Sequence, residues 1–178
     1  MTRPPGSPPT ITLDMLQQNR LFQGVAPQAL QTLLKDLEPR LAQPGEWIMR
    51  EGEVADFMFV ILNGELEVVS HGGSGSLTAD VRVALLGPGD WVGEMAVLDP
   101  QPQRSASVRS LAPSLLLRLT VNDMRRLQED ELAVYASLMR NVARELGRRL
   151  RVADRLIART SSTIAKQYVL ESLLPPKA

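Results

Sequence analysis

The stretch from Trp91 to Ser110, WVGEMAVLDPQPQRSASVRS, sets Glu94 and Arg104 ten positions apart in an apolar, turn-rich segment. Such a pair has an ordinary reading, a surface ion pair with Arg104 at a loop tip after two prolines. The surroundings favour another. Gly93 and Ala96 let backbone approach closely, and EMAVL has the length of one helical turn, whose free N–H groups favour an anion. An arginine arriving on the next segment can grip that anion through two parallel hydrogen bonds.

Composition narrows the chemistry further. With no cysteine and only one histidine, His71, in 178 residues, the chain has neither a thiolate zinc site nor a histidine cluster for paired acid/base work. Hydrolytic metal chemistry is therefore not expected, and no cofactor is implied. No apolar run approaches the roughly 18 residues that span a bilayer, and the N-terminus MTRPPGSPPT lacks the apolar core of a signal peptide. A cytoplasmic protein is the expectation. The formal net charge of zero conceals segregation: Arg140, Arg144, Arg148, Arg149, Arg151, Arg155 and Arg159 face only Glu145 and Asp154 in one segment.

The elements that must position Glu94 and Arg104 follow from local pattern. Four prolines within residues 1–11 predict a disordered leader. Met15, Leu16, Leu21 and Phe22, then Leu30, Leu33, Leu34 and Leu37, fall at helical spacing, with Pro27 suited to a first turn. Two short helices result. From Glu38 to Leu119 short apolar or alternating runs are punctuated by PGE, EGE, NGE, HGGSGS and GPGD, the texture of a β-sandwich or barrel. Asn63-Gly64 between two apolar runs predicts a tight hairpin, and HGGSGS a looser one. Gly73-Ser74-Gly75 is read as a plain loop, because Thr78 replaces a third glycine and no Gly-Lys follows.

Beyond the strands, Asn122 or Asp123 is placed to cap a short helix through Leu127, and a long helix starts near Leu132. Within it Met139, Ala143, Leu146, Leu150, Ala153, Ile157, Thr160 and Ile164 recur in alternating steps of four and three, a heptad seam. The offset of five from Arg149 to Asp154 is the g to e′ separation between parallel strands, so these charges can pair across a dimer. An apolar stripe docked on the chain's own domain is the alternative. The expectation is a parallel homodimer. The Thr160–Thr163 run TSST is poor helix material, so the helix is drawn over 131–165, after a domain over 12–130 and before a tail over 166–178.

VGEMAVL followed by RSASV resembles the phosphate-binding cassette of the cyclic nucleotide-binding domains, in particular those of the catabolite activator protein and its bacterial relatives. That cassette reads Phe-Gly-Glu-(Leu/Met)-Ala-(Leu/Val), a variable loop, then Arg-(Ser/Thr/Ala)-Ala, and the final alanine is Ala106 here. The preceding GEWIMREGEVADFMFVILNGELEV is similar to the family's first barrel half, with Gly45, Gly52, Asp56 and Gly64 at its turns. The resemblance covers Leu13 to about Ile157. It implies a mainly β fold with flanking α, a double-stranded β-helix or jelly-roll barrel with N-terminal helices and a long C-terminal dimerisation helix. It further implies that Glu94 accepts from a ribose 2′-hydroxyl and that Arg104 neutralises a cyclic phosphate, with the N–H groups of Met95 and Ala96 and the Ser105 hydroxyl completing the cradle. Val83, Ala84 and Val92 fall where the family lines the purine. The chain departs from the pattern at Trp91-Val92, where an aromatic usually precedes the glycine directly, and at Arg149 and Leu150, where small hydroxyl residues approach adenine; the register makes Arg149 a candidate to stack on the base, with pairing to Asp154 the alternative.

The implied function is a regulatory sensor, not an enzyme, for a 3′,5′-cyclic purine mononucleotide, cyclic AMP ahead of cyclic GMP. Only 18 residues follow Thr160, fewer than a winged-helix DNA-binding domain needs, so no direct DNA binding is expected. Two other classes compete. A nucleic-acid or anionic-surface binding module would use the arginine-rich helix, but 4% aromatic content offers few stacking platforms. A cupin-like jelly-roll enzyme shares the strand texture but relies on histidine-rich metal sites.

Overall fold

The computed structural model describes residues 11–71, 80–99 and 103–172. The leader, the Gly73-Ser74-Gly75 loop and the extreme C-terminus lie outside them, as do the side chains beyond residue 160. Thr12 caps α1, Leu13–Gln17, its side chain accepting from the Met15 N–H. A single 3-10 turn, Arg20–Phe22, follows, and then α2, Pro27–Asp36, with Pro27 in its first turn as expected. Leu16, Leu21, Phe22, Leu30 and Leu33 are all buried, so the helical spacing of these residues marks the face that packs inward.

Among the described residues eight strands come next: β1 Glu38–Ala42, β2 Trp47–Met49, β3 Phe57–Asn63, β4 Leu66–His71, β5 Asp80–Leu86, β6 Trp91–Val92, β7 Ser107–Ser110 and β8 Ser114–Thr120. They form two four-stranded antiparallel sheets, ordered β1-β8-β3-β6 and β2-β7-β4-β5. One apolar cluster draws on both: Ala42, Phe59, Ile61, Val92 and Leu116 from the first sheet, Ile48, Met49, Leu66, Leu86 and Val108 from the second. Burying side chains of this size supplies about 1.5–3 kcal/mol each, which holds the layers together.

The Asn63-Gly64 turn is a correction to the sequence reading. It does not close a hairpin, because β3 and β4 belong to different sheets. The chain instead turns a corner from one layer to the other, with Gly64 at φ +98° and packed so closely on β8 that a Cβ would lie 2.5 Å from Ser114 Cα. The cue was right about a glycine turn and wrong about the partner, since turn chemistry fixes backbone dihedrals and not which edge the next strand meets. β4 and β5 do pair, Leu66 opposite Leu86 through His71 opposite Asp80.

Helix α4, Val121–Asp130, begins with a reciprocal cap: the Thr120 hydroxyl accepts from the Asp123 N–H at 3.0 Å, and the Asp123 carboxylate accepts from the Thr120 N–H at 2.8 Å. The cap is therefore Thr120, not Asn122 or Asp123, because Asp123 sits at the third helical position, where its carboxylate reaches back. Helix α5 runs from Leu132 to Ser172, through the TSST segment and past the end drawn at 165. The chain divides into two compact units, Met1–Asn141 and Val142–Ala178.

In the second unit Glu145 accepts from Arg148 Nε at 2.8 Å and from Arg149 Nε at 3.1 Å. The Arg148 hydrogen bond, aided by Arg149, holds the Glu145 carboxyl down at about 2 from its ordinary 4.5. A depressed carboxyl pKa stabilises the fold above the unfolded value and loses that stabilisation as pH falls through the folded value. The parent protein should thus lose helix stability between pH 4.5 and 2 relative to Glu145→Gln. Circular dichroism melts of both proteins across that window check this; parallel curves would contradict it.

Candidate anion and nucleotide site

Gly93 closes β6 at φ +82°, a backbone conformation that swings the chain into α3, Met95–Leu98. Glu94 stands at the helix N-cap and is buried, 7% exposed. The Ala96 N–H donates to Gly93 O at 3.1 Å and the Val97 N–H to Glu94 O at 3.0 Å, closing the turn. In this arrangement the Ala96 N–H serves the turn, and Met95 has an exposed side chain.

Arg104 comes from a segment laced to a different loop. Its N–H donates to Glu53 O and its carbonyl accepts from the Gly52 N–H, both at 2.9 Å, while Ser107 Oγ accepts from the Glu51 N–H at 2.9 Å. These bonds deliver the guanidinium to the Gly93 turn, where Nη1 donates to Gly93 O at 3.3 Å. The ring of Phe57 lies beneath the guanidinium, 4.6 Å from centroid to carbon. Arg104 is 6% exposed, and its Nη2 is buried without a hydrogen-bond partner.

That atom defines the site. Burial lowers the Arg104 pKa, and the carboxylates of Glu53, Asp56 and Glu94 oppose the shift. A buried guanidinium with an unused donor is costly unless an anion answers it. Here the unused donor lies at a glycine turn, with a buried carboxylate on the same turn. The two residues that the sequence singled out are thus brought together, ten positions apart in sequence and joined through Gly93.

Of the residues expected to line a purine, Ala84 packs against the core cluster and Val92 is part of it. Val83 is a correction: it is 61% exposed, on the outer side of β5. Val83 adjoins Ala84, which packs on the core, so strand alternation puts Val83 on the opposite face with Val81 and Leu85, both exposed. Ser105 is exposed and Ala106 half-buried. Arg149 bonds to Glu145 on its own helix. Sequence reasoning missed Phe57, Met49 and Val68. Phe57 and Val68 pack against the cluster beside Ala84, and Met49 Cε would lie 2.7 Å from a Cβ on Gly93. Phe57 and Val68 lay hidden in strands read only as core, and strand alternation was the one signal that separated their faces.

The model of the cyclic nucleotide-binding domain family matches residues 39–131, which run from the second residue of β1 through β8 and include Glu94 and Arg104. The chain belongs to this family. The cyclic AMP receptor protein of Thermus thermophilus is 33% identical over 158 residues, covering 86% of this chain and 68% of its own length. The crystal structure of the catabolite activator protein of the same organism superimposes with a TM-score of 0.68 at 31% identity, over 80% of this chain and 63% of that one. A cyclic nucleotide-gated cation channel subunit of Drosophila melanogaster is 34% identical over 119 residues, 64% of this chain and 17% of the channel. These relatives are regulators and channels, and this is a family of regulatory domains, not of enzymes. Among the described residues no cluster of three His, Asp or Glu side chains is arranged to hold a metal, and no helix is long and apolar enough to cross a membrane.

Proposed function

We propose that this cyclic nucleotide-binding domain is a sensor that takes up a 3′,5′-cyclic purine mononucleotide, cyclic AMP ahead of cyclic GMP, and acts in the cytoplasm. The observation that carries the reading is the buried, unpartnered Arg104 Nη2 beside Glu94. A cyclic phosphate monoanion answers the guanidinium, and a ribose 2′-hydroxyl donates to the Glu94 carboxylate. Ala84 and Val92 offer the base an apolar wall, with the two sheets acting as halves of one β-roll around it. The preference for cyclic AMP rests on the ligand named for the Thermus relative. A thermal-shift comparison tests this: cyclic AMP should raise the melting temperature more than cyclic GMP, and 5′-AMP, which lacks the ring ester, should do least. Equal shifts with all three would reduce the site to a general phosphate binder.

The proposed relay runs into α5 and pairs two chains along it. Leu150 and Ile157, at seam positions, are 62% and 65% exposed, and Ala143 and Ala153 are exposed beside them. Met139 and Leu146 are half-buried. An exposed apolar seam at heptad spacing calls for a partner helix. Light scattering should report twice the monomer mass; a monomer at every concentration would contradict the pairing.

A further inference from the structure

We infer that two buried amides, Asn19 and Asn141, are positioning residues for the cassette, although neither belongs to the ligand site described above. The inference rests on reading Gly93 to Arg104 as a nucleotide cassette.

Asn141, on α5, is 5% exposed, and its Nδ2 donates at 2.8 Å to both Leu21 O and Gln23 O. Both donors of one amide are thus spent on the carbonyls of the 3-10 turn, in surroundings where Leu16, Leu21 and Phe22 are fully buried. Asn19, 2% exposed, continues the path: its Oδ1 accepts from the Leu21 N–H at 2.9 Å and its Nδ2 donates to Ile61 O in β3 at 3.2 Å. Ile61 O also accepts from the Gly89 N–H at 3.1 Å, and the Ile61 N–H donates to Asp90 O at 2.9 Å. Arg20 adds a parallel strand of contacts, donating from Nε to Gly89 O at 3.3 Å and pairing with the Asp90 carboxylate. Asp90 in turn accepts from the Gly87 N–H at 3.0 Å and directly precedes β6, Gly93 and Glu94.

The result is a continuous hydrogen-bonded path from α5, through the 3-10 turn and one residue of β3, to the Gly87–Asp90 turn that feeds the cassette. An apolar residue at 141 would fill the space but leave the buried Leu21 carbonyl and the part-buried Gln23 carbonyl unmet. An amide there satisfies them and fixes the turn at once. The turn's geometry is then set before ligand arrives, so ligand does not bear the cost of ordering it.

Asn141→Asp keeps the shape and removes both donors. Calorimetric titration should show cyclic AMP affinity reduced about fivefold or more, although residue 141 touches no ligand. In a double-mutant cycle with Asp90→Asn, the combined loss of affinity should be smaller than the sum of the single losses. In the unliganded variant, hydrogen exchange should quicken at the Ile61 and Gly89 amides while the β1-β8 ladder keeps its protection. Asn141→Leu supplies the same readings if the aspartate variant does not fold. Additive losses, with faster exchange confined to 19–23 and 132–141, would make Asn141 an ordinary helix tie and overturn the proposal. If the parent protein takes up no cyclic nucleotide, the cassette reading fails, and the exchange measurement still decides whether the path exists.

Discussion

Arg104→Leu is expected to lower cyclic nucleotide affinity by at least about 100-fold while leaving the stability of the unliganded protein within about 1 kcal/mol. The two halves of this result have one cause. In the free protein the guanidinium is buried, with one nitrogen unpartnered, so its desolvation is only partly offset by Gly93 O, the Phe57 ring and nearby carboxylates. Leucine, shorter and apolar, removes that cost along with those contacts. In the complex the same substitution abandons a buried phosphate charge with no cation to meet it. Glu94→Gln should be milder, since it forfeits one charge-assisted hydrogen bond, about 1.5–3 kcal/mol. Calorimetry and urea melts on the three proteins separate these effects. An Arg104→Leu protein that binds as tightly as its parent would place the ligand elsewhere.

Gly93→Ala should act on both fold and binding. At φ +82° an alanine is strained by about 1–3 kcal/mol, and its Cβ would collide with Arg104 Nη1 and lie 2.7 Å from Met49 Cε. Those neighbours are ends of flexible side chains, so they yield, and the one that moves first is the guanidinium that must meet the phosphate. Affinity should fall about tenfold or more, beyond what the loss of stability explains. Urea denaturation alongside a cyclic AMP titration checks both halves. An alanine variant with lowered stability and unchanged affinity would show that Arg104 need not occupy its observed position to bind.

The parts of this molecule that were legible in sequence are those fixed by local chemistry. Pro27 marks a helix start, the Leu30 and Leu33 spacing marks a buried face, and VGEMAVL with RSASV marks the family, because each signal is complete within a few residues. What stayed hidden depends on pairing at a distance. Asn63-Gly64 announces a turn, but only the assembled sheets show that it joins two layers. Val83 reads as one more apolar strand residue until the packing of its neighbour Ala84 on the core shows that Val83 lies on the outer face. Phe57 reads as core until Arg104, 47 positions later in the chain, arrives over its ring. Asn141 lies in the predicted seam helix and carries no motif. Its partners, Leu21 and Gln23, are about 120 residues away, beyond any window that periodicity can scan.

The central claim is that the unanswered donor of Arg104 and the Glu94 carboxylate bind the two ends of one ribose cyclic phosphate. Calorimetric titration of the unmodified protein with cyclic AMP tests it most directly. The account predicts saturable heat with one site per chain, competed by cyclic GMP and absent in Arg104→Leu. No heat at any nucleotide concentration, or an isotherm that survives loss of Arg104 unchanged, would contradict it.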